Sequence, residues 1–121
     1  MRPAPSVSVI VPALDARETV VSALESALSQ DVAVEVLVID DGSQDGTPET
    51  VSQLGDPRIR LLSTGTRRSG PSNARNVGLA AAEGEWVAVL DADDRFVPGR
   101  LSLDAPNRVV EGGSSSHGNA P

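Results

Sequence analysis

Val36-Leu-Val-Ile-Asp-Asp-Gly-Ser43 decides the reading of this chain: an apolar run of strand length leads straight into two carboxylates and a glycine turn. A second stretch repeats the arrangement, with Trp86-Val-Ala-Val-Leu90 followed by Asp91-Ala-Asp93-Asp94. Runs that are apolar at every position suit strands buried on both faces, as in a parallel sheet covered by helices. Ligands of such sheets settle beyond the carboxyl ends of the strands, so acids gathered there ask for a cation.

Outward from these two runs, the chain alternates. Val7-Ser-Val-Ile-Val11 reads as a first strand closed by Pro12, and Asp15-Ala-Arg-Glu18 has the spacing of a capping box for a helix with Val20, Leu24, Ala27 and Leu28 inward. Val34 to Ile39 is the second strand, and Thr47-Pro48 suits the N-cap and first position of a short helix that buries Val51 and Leu54 and stops at Gly55 and Pro57. Arg58-Ile-Arg-Leu-Leu62 alternates at first, as an edge strand with one wetter face does. A third helix is expected from about Ser72 to Glu83, burying Ala74, Val77 and Ala81 and ending at Gly84 before the last strand. The order βαβαβαβ predicts an α/β fold, doubly wound around a mainly parallel sheet. The domain is expected over residues 6–104. Residues 105–121, rich in glycine and serine, have the composition of a disordered tail.

The net charge of -7 arises from 17 acids against 10 bases, every base an arginine. Asp40, Asp41, Asp45, Asp91, Asp93 and Asp94 supply much of that acidity, so it is local rather than a solvating coat. Arg67-Arg68 is the only basic doublet, which argues against nucleic-acid backbone binding and leaves an anionic partner in need of a bridging metal. The chain has no cysteine, hence no disulfide, thiolate metal site or cysteine nucleophile. No apolar stretch approaches the roughly 18 to 20 residues of a membrane span, and Met1-Arg-Pro-Ala-Pro5 lacks the core of a signal peptide. The expectation is a cytoplasmic location, including the cytoplasmic membrane face.

Two carboxylates about 5 Å apart repel by roughly 3 kcal/mol at an effective dielectric near 20, so three aspartates in one turn call for compensation. Mg²⁺ or Mn²⁺ prefers one or two carboxylates completed by phosphate oxygens, which makes D-x-D at a strand end a natural diphosphate clamp. The bland alternative is a solvated acidic turn. Its position behind a wholly apolar strand, with a second aspartate pair behind another, favours the clamp. Asp40-Asp41 can accept hydrogen bonds from a nucleobase or ribose, or cap the turn at Gly42. Arg75 can reach an anionic group or pair with a surface acid. Trp86 begins a buried run and is expected in the core, and His117 receives no role.

Val7-Ser-Val-Ile-Val-Pro12, Val38-Ile-Asp-Asp-Gly-Ser43, Ala74-Arg-Asn-Val-Gly78, Gly84-Glu-Trp86 and Leu90-Asp-Ala-Asp-Asp94 with Val97-Pro-Gly-Arg-Leu101 together resemble the family 2 glycosyltransferases over about residues 6 to 103. The resemblance implies a GT-A fold with strand order 3-2-1-4, a nucleotide-sugar donor such as a UDP-sugar, and inverting transfer of the sugar to an acceptor hydroxyl. It further implies that Pro12 and Ala13 lie against the nucleoside and that Asp41, with Asp40 beside it, holds the base. Asp91 would approach the ribose, Asp93 would hold Mg²⁺ or Mn²⁺ on the diphosphate, and Arg75 would sit near the phosphates or base. In that order strands 2 and 4 flank strand 1, about 10 Å apart, a gap that a nucleoside diphosphate can bridge.

Departures matter too. Leu14 and Asp15 stand where the family commonly has an aromatic residue and asparagine. Family members carry the acceptor site and the carboxylate that deprotonates the acceptor downstream of D-x-D, and no candidate base follows Asp104 except Glu111. A truncated, non-catalytic nucleotide-sugar-binding module is therefore the alternative to an active enzyme. With nothing after it, Trp86 to Leu90 is expected as an apolar edge strand that recruits another chain, giving self-association. Phosphatases with D-x-D and phospho-acceptor receiver domains both need a lysine, which this chain lacks. Gly65-Thr-Arg-Arg-Ser-Gly-Pro-Ser72 has P-loop glycine spacing, but Pro71 replaces the lysine.

Overall fold

The computed structural model describes residues 5–101 and 109–111. Strands β1 (Val7–Ala13), β2 (Val34–Asp40), β3 (Ile59–Ser63) and β4 (Trp86–Val89) alternate with helices α1 (Val20–Leu28), α2 (Thr47–Gln53) and α3 (Pro71–Ala81), and β5 (Val109–Glu111) follows. The strands pair in parallel in the order β3-β2-β1-β4-β5. The first four bear out the expected 3-2-1-4 order of an α/β doubly wound sheet.

Period-two alternation divides the core into two layers. Val7, Val9, Val11 and Ala13 of β1 and Val34, Val36 and Val38 of β2 face α1, whose Val20, Ala23, Leu24 and Ala27 form one helical stripe, and Val51 of α2 joins them. On the other face Ile10, Leu37, Ile39 and Val89 pack against Ala74 of α3, with Val77 and Ala81 partly buried beside them. Each fully buried Val, Leu or Ile contributes roughly 1.5–3 kcal/mol of transfer free energy, and the central strands are apolar on both faces for that reason. Trp86 packs partly buried against the first layer, as a core residue does. Close approach sets the third helix: a Cβ on Gly78 would lie 2.6 Å from Ile10 Cγ2, so α3 rides nearer the sheet than any larger residue allows.

At the amino ends of the strands a polar network replaces apolar packing. Glu35, 6% exposed, accepts hydrogen bonds from Ser8 Oγ at 2.6 Å, from the Glu83 backbone N–H at 2.6 Å and from Arg60 at 3.3 Å. Burial works against its charge, but these donors outweigh it and hold the carboxyl below its ordinary value. This acid staples β1, β2, β3 and the segment after α3 together.

Three expectations need correction. Helix α1 begins at Val20 with Thr19 at its N-cap, and Asp15 sits four residues earlier at a φ of 50°. Its carboxylate is engaged across the chain instead, accepting the Gln44 N–H at 2.7 Å and pairing with Arg67 at 3.0 Å, so the capping box does not form. In α2 the first-turn N–H of Thr47 goes to Asp45 Oδ1 at 3.0 Å, which makes Asp45 the acceptor there rather than Thr47. Finally, β4 is not an edge strand, because β5 pairs with it through Val87↔Val109, Ala88↔Val110 and Val89↔Glu111. Self-association through an exposed β4 thereby loses its basis. The strand falls within the expected tail, and the rest of that tail, His117 included, lies outside the described residues. Among the described residues no helix is long and apolar enough to cross a membrane.

Candidate functional site

A cavity of about 680 Å³ opens where β1, β2 and β4 end. The register explains its position. Ala13, the last residue of β1, pairs with Asp40, the Asp41 N–H donates to the Ala13 carbonyl at 2.8 Å, and the Leu90 N–H donates to Ile10 O at 2.9 Å. Asp41 and Asp91 thus leave the sheet on opposite sides of β1. Five of the residues expected at the site, Pro12, Ala13, Asp41, Asp91 and Asp93, line the cavity. Asp40 and Arg75 do not.

Asp40 turns inward at 7% exposure, and its Oδ2 accepts the N–H groups of Gly42 (3.2 Å) and Ser43 (3.1 Å). Its sequence admitted a ligand-binding or a turn-capping role, and the hydrogen bonds are those of the cap. Gly42 at φ 91° makes that turn possible, since a Cβ there would meet Arg67 Cα at 2.5 Å.

Asp41 is 5% exposed and organises the loop between β3 and α3. Its Oδ1 accepts Thr64 Oγ1 and Ser69 Oγ, each at 2.7 Å, and its Oδ2 accepts the Gly70 N–H at 3.0 Å. Burial penalises the charge, yet the donors from Ser69, Thr64 and Gly70 prevail and bring the carboxyl from 3.8 down to about 2. A carboxylate has about four acceptor positions, and donors of the Thr64–Gly70 loop take most of those on Asp41.

The second acidic turn is built differently. The Asp94 N–H closes it on the Asp91 carbonyl at 3.0 Å; Ala92 and Asp94 point inward, and Asp91 and Asp93 outward. Asp94 Oδ1 accepts the Arg95 N–H at 3.1 Å. The expected crowding of three carboxylates therefore reduces to two facing the cavity. The turn is anchored from behind: the N–H of buried Phe96 donates to Ser26 Oγ at 2.9 Å, and Gln30 bridges Val97 O (3.0 Å) and the Leu101 N–H (2.9 Å). Sequence reading named neither Ser26 nor Gln30, because their partners lie some 70 residues away.

Among the described residues no group of three His, Cys, Asp or Glu side chains is placed to hold a metal ion. Two exposed carboxylates on one rigid turn fit a hard divalent cation whose remaining ligands come from phosphate and water, the usual condition of Mg²⁺. Arg68 also lines the cavity and is its one cationic side chain among the described residues. It was visible only as half of a basic doublet. Leu14 lines the cavity where an aromatic residue was the family expectation.

This order of strands, with acids from two strand ends on one crevice, defines a protein of the GT-A class. Residues 8–103 match the model for glycosyl transferase family 2, and the chain belongs to that family. It is 50% identical over 98 residues to the succinoglycan biosynthesis protein ExoO of Rhizobium meliloti (strain 1021), covering 80% of this chain and 28% of that protein. Among solved structures it is similar to S. aureus TarS 1-349 in complex with UDP-GlcNAc, at TM-score 0.69 and 35% identity over 74% of this chain and 27% of that one. It is also similar to the mannosyltransferase PcManGT of Pyrobaculum calidifontis in complex with GDP-Man and Mn²⁺, at TM-score 0.71 and 33% identity over 78% of this chain and 29% of that one. The chain thus spans less than a third of the length of each of these relatives.

Proposed function

We propose that this chain forms the nucleotide-sugar site of a metal-dependent, inverting glycosyltransferase, with a UDP-sugar as donor. The observation that carries the reading is that Asp41, from the end of β2, and Asp91 and Asp93, from beyond β4, line one cavity across the end of β1. The nucleoside lies against Pro12 and Ala13 with its base toward Asp41. Asp91 faces the ribose, and Asp93 holds Mg²⁺ or Mn²⁺, which when bound neutralises charge on the diphosphate leaving group. Arg75 is left out of this assignment. In the reaction the acceptor oxygen bonds to the anomeric carbon as the bond from that carbon to the diphosphate oxygen breaks, and the acceptor proton passes to a base. The residues assigned here serve the donor side. Transfer on the cytoplasmic side of a membrane fits this reading.

Binding of the donor without turnover is the second reading, and the observation behind it is that the match spans 28% of ExoO. Isothermal titration of the chain with UDP in the presence and absence of Mn²⁺ tests binding, and a coupled assay for released UDP tests turnover. Mn²⁺-dependent binding supports the donor site in either reading, and UDP release then selects the enzyme. No binding of any nucleoside diphosphate with metal would reject both.

A further inference from the structure

We propose that Asp15 is a positioning residue for the crevice: its ion pair with Arg67 sets the β3–α3 loop as the wall on the β2 side before a ligand arrives. The inference rests on the donor-site reading above. Asp15 lines the cavity from the loop after β1. That loop and the loop after β2 are zipped into one unit, because the Asp15 N–H donates to Ser43 Oγ at 2.8 Å, the Ala16 N–H to Thr47 Oγ1 at 2.9 Å and the Arg17 N–H to Asp45 Oδ2 at 3.0 Å. The Gln44 N–H returns to Asp15 Oδ1 at 2.7 Å. The β3–α3 loop, whose Arg68 and Gly70 also line the cavity, hangs on Asp41 through Thr64, Ser69 and Gly70. Those bonds end at the mouth of β2. Arg67 carries the loop further, donating to Gly42 O and, at 3.0 Å, to Asp15 Oδ2. Its side chain does not line the cavity, so whatever it does for a ligand it does through the loop.

The charge on Asp15 has a task that can be separated from its shape. Its two oxygens are divided, Oδ1 serving Gln44 and Oδ2 serving Arg67. Asparagine tolerates the φ of 50° at this position and can keep the Gln44 bond with its carbonyl oxygen. It then turns an amide donor toward a guanidinium that has five donors and no acceptor. D15N therefore cuts the ion pair and leaves the turn. With side chains 31% and 33% exposed, the pair is a modest tie that salt screens. It is strong enough to bias a loop and too weak to hold the fold, which is what separates a positioning role from a structural one.

The test compares the unsubstituted chain with D15N, R67Q and the double variant. Affinities for UDP and for inorganic pyrophosphate are measured with Mn²⁺ at low and high salt, together with amide hydrogen exchange, and circular dichroism confirms the fold of each variant. The expected result is that D15N and R67Q each weaken UDP about three- to fivefold and that the double variant is no worse than either, because both remove one shared tie. Pyrophosphate, which reports the Asp91 and Asp93 side, stays within about twofold, and high salt narrows the gap between the unsubstituted chain and D15N. Exchange quickens in residues 65–68 and is unchanged in residues 91–94. Additive losses in the double variant, an equal loss for pyrophosphate, or unchanged exchange of the loop in D15N would overturn the proposal. Failure of the unsubstituted chain to bind UDP with Mn²⁺ would instead overturn the donor-site reading, and the exchange rates would still decide whether the ion pair holds the loop.

Discussion

The mouths of β2 and β4 carry the same residue type and use it in opposite ways. At β2, Asp40 and Asp41 are both buried and their carboxylates are spent largely on the protein itself, on the Gly42 turn and on the loop from Thr64 to Gly70. At β4, Asp91 and Asp93 are exposed on a turn that is fixed from beneath by Ser26 and Gln30. The first pair gives the crevice its shape; the second supplies its open charge. The difference teaches that two aspartate clusters behind apolar strands are not two copies of one device. What separates them is burial: Asp40 and Asp41 lie within the loops they hold, and Asp91 and Asp93 stand exposed on theirs.

Substitutions should break this contrast in order of size. Gly42→Ala places a Cβ 2.5 Å from Arg67 Cα at a φ of 91°, so the β2 mouth must rearrange. The left-handed penalty plus overpacking amounts to about 2–5 kcal/mol of lost stability, measurable by urea denaturation. Asp41→Ala strands the donors of Thr64, Ser69 and Gly70 and should cost about 1–3 kcal/mol, with faster hydrogen exchange in residues 64–70. Asp93→Asn should change stability by less than about 0.5 kcal/mol, as a substitution on an exposed turn, yet lower Mn²⁺-dependent UDP affinity about tenfold or more. If Asp41→Ala proved as harmless to stability as Asp93→Asn, the contrast between the two mouths would fail.

Acid sharpens the same comparison. The folded carboxyl of Asp41 lies at about 2, below its ordinary 3.8, so its contribution is fully present above about pH 4 and is lost as the pH falls toward 2. Urea midpoints measured between pH 5 and 2 should fall through that window, and the fall should be smaller in Asp41→Asn. Equal slopes in the two proteins would place the acid sensitivity elsewhere.

Much of the fold was legible because burial on both faces writes itself as unbroken apolar runs: Val36 to Ile39 and Val87 to Leu90 both read as buried strands, although the second was expected at an edge and β5 pairs with it instead. The alternation Arg58-Ile-Arg-Leu likewise announced an edge, and β3 is one. Asp15 misled because capping-box spacing is local, whereas its partners Gln44 and Arg67 are supplied by tertiary structure. Glu35 drew no reading from the sequence, because only the fold brings Ser8, Arg60 and Glu83 to it. At the cavity, strand-end acids were readable from position, while Asp40 and Asp41 were not separable from each other by sequence. A one-residue step along the chain turns the first into the turn and the second toward the loop and cavity. Arg68 was hidden for a related reason: which of two adjacent arginines faces a site depends on a backbone conformation set by its neighbours.

The most direct test of one shared crevice is paramagnetic broadening of the backbone amide spectrum by Mn²⁺ with UDP present. The account predicts that UDP shifts the resonances of Asp41 and residues 68–70, and that a small amount of Mn²⁺ then broadens residues 91–94 most strongly. Broadening centred on any other acidic group, or UDP shifts that spare Asp41 and its loop, would contradict it.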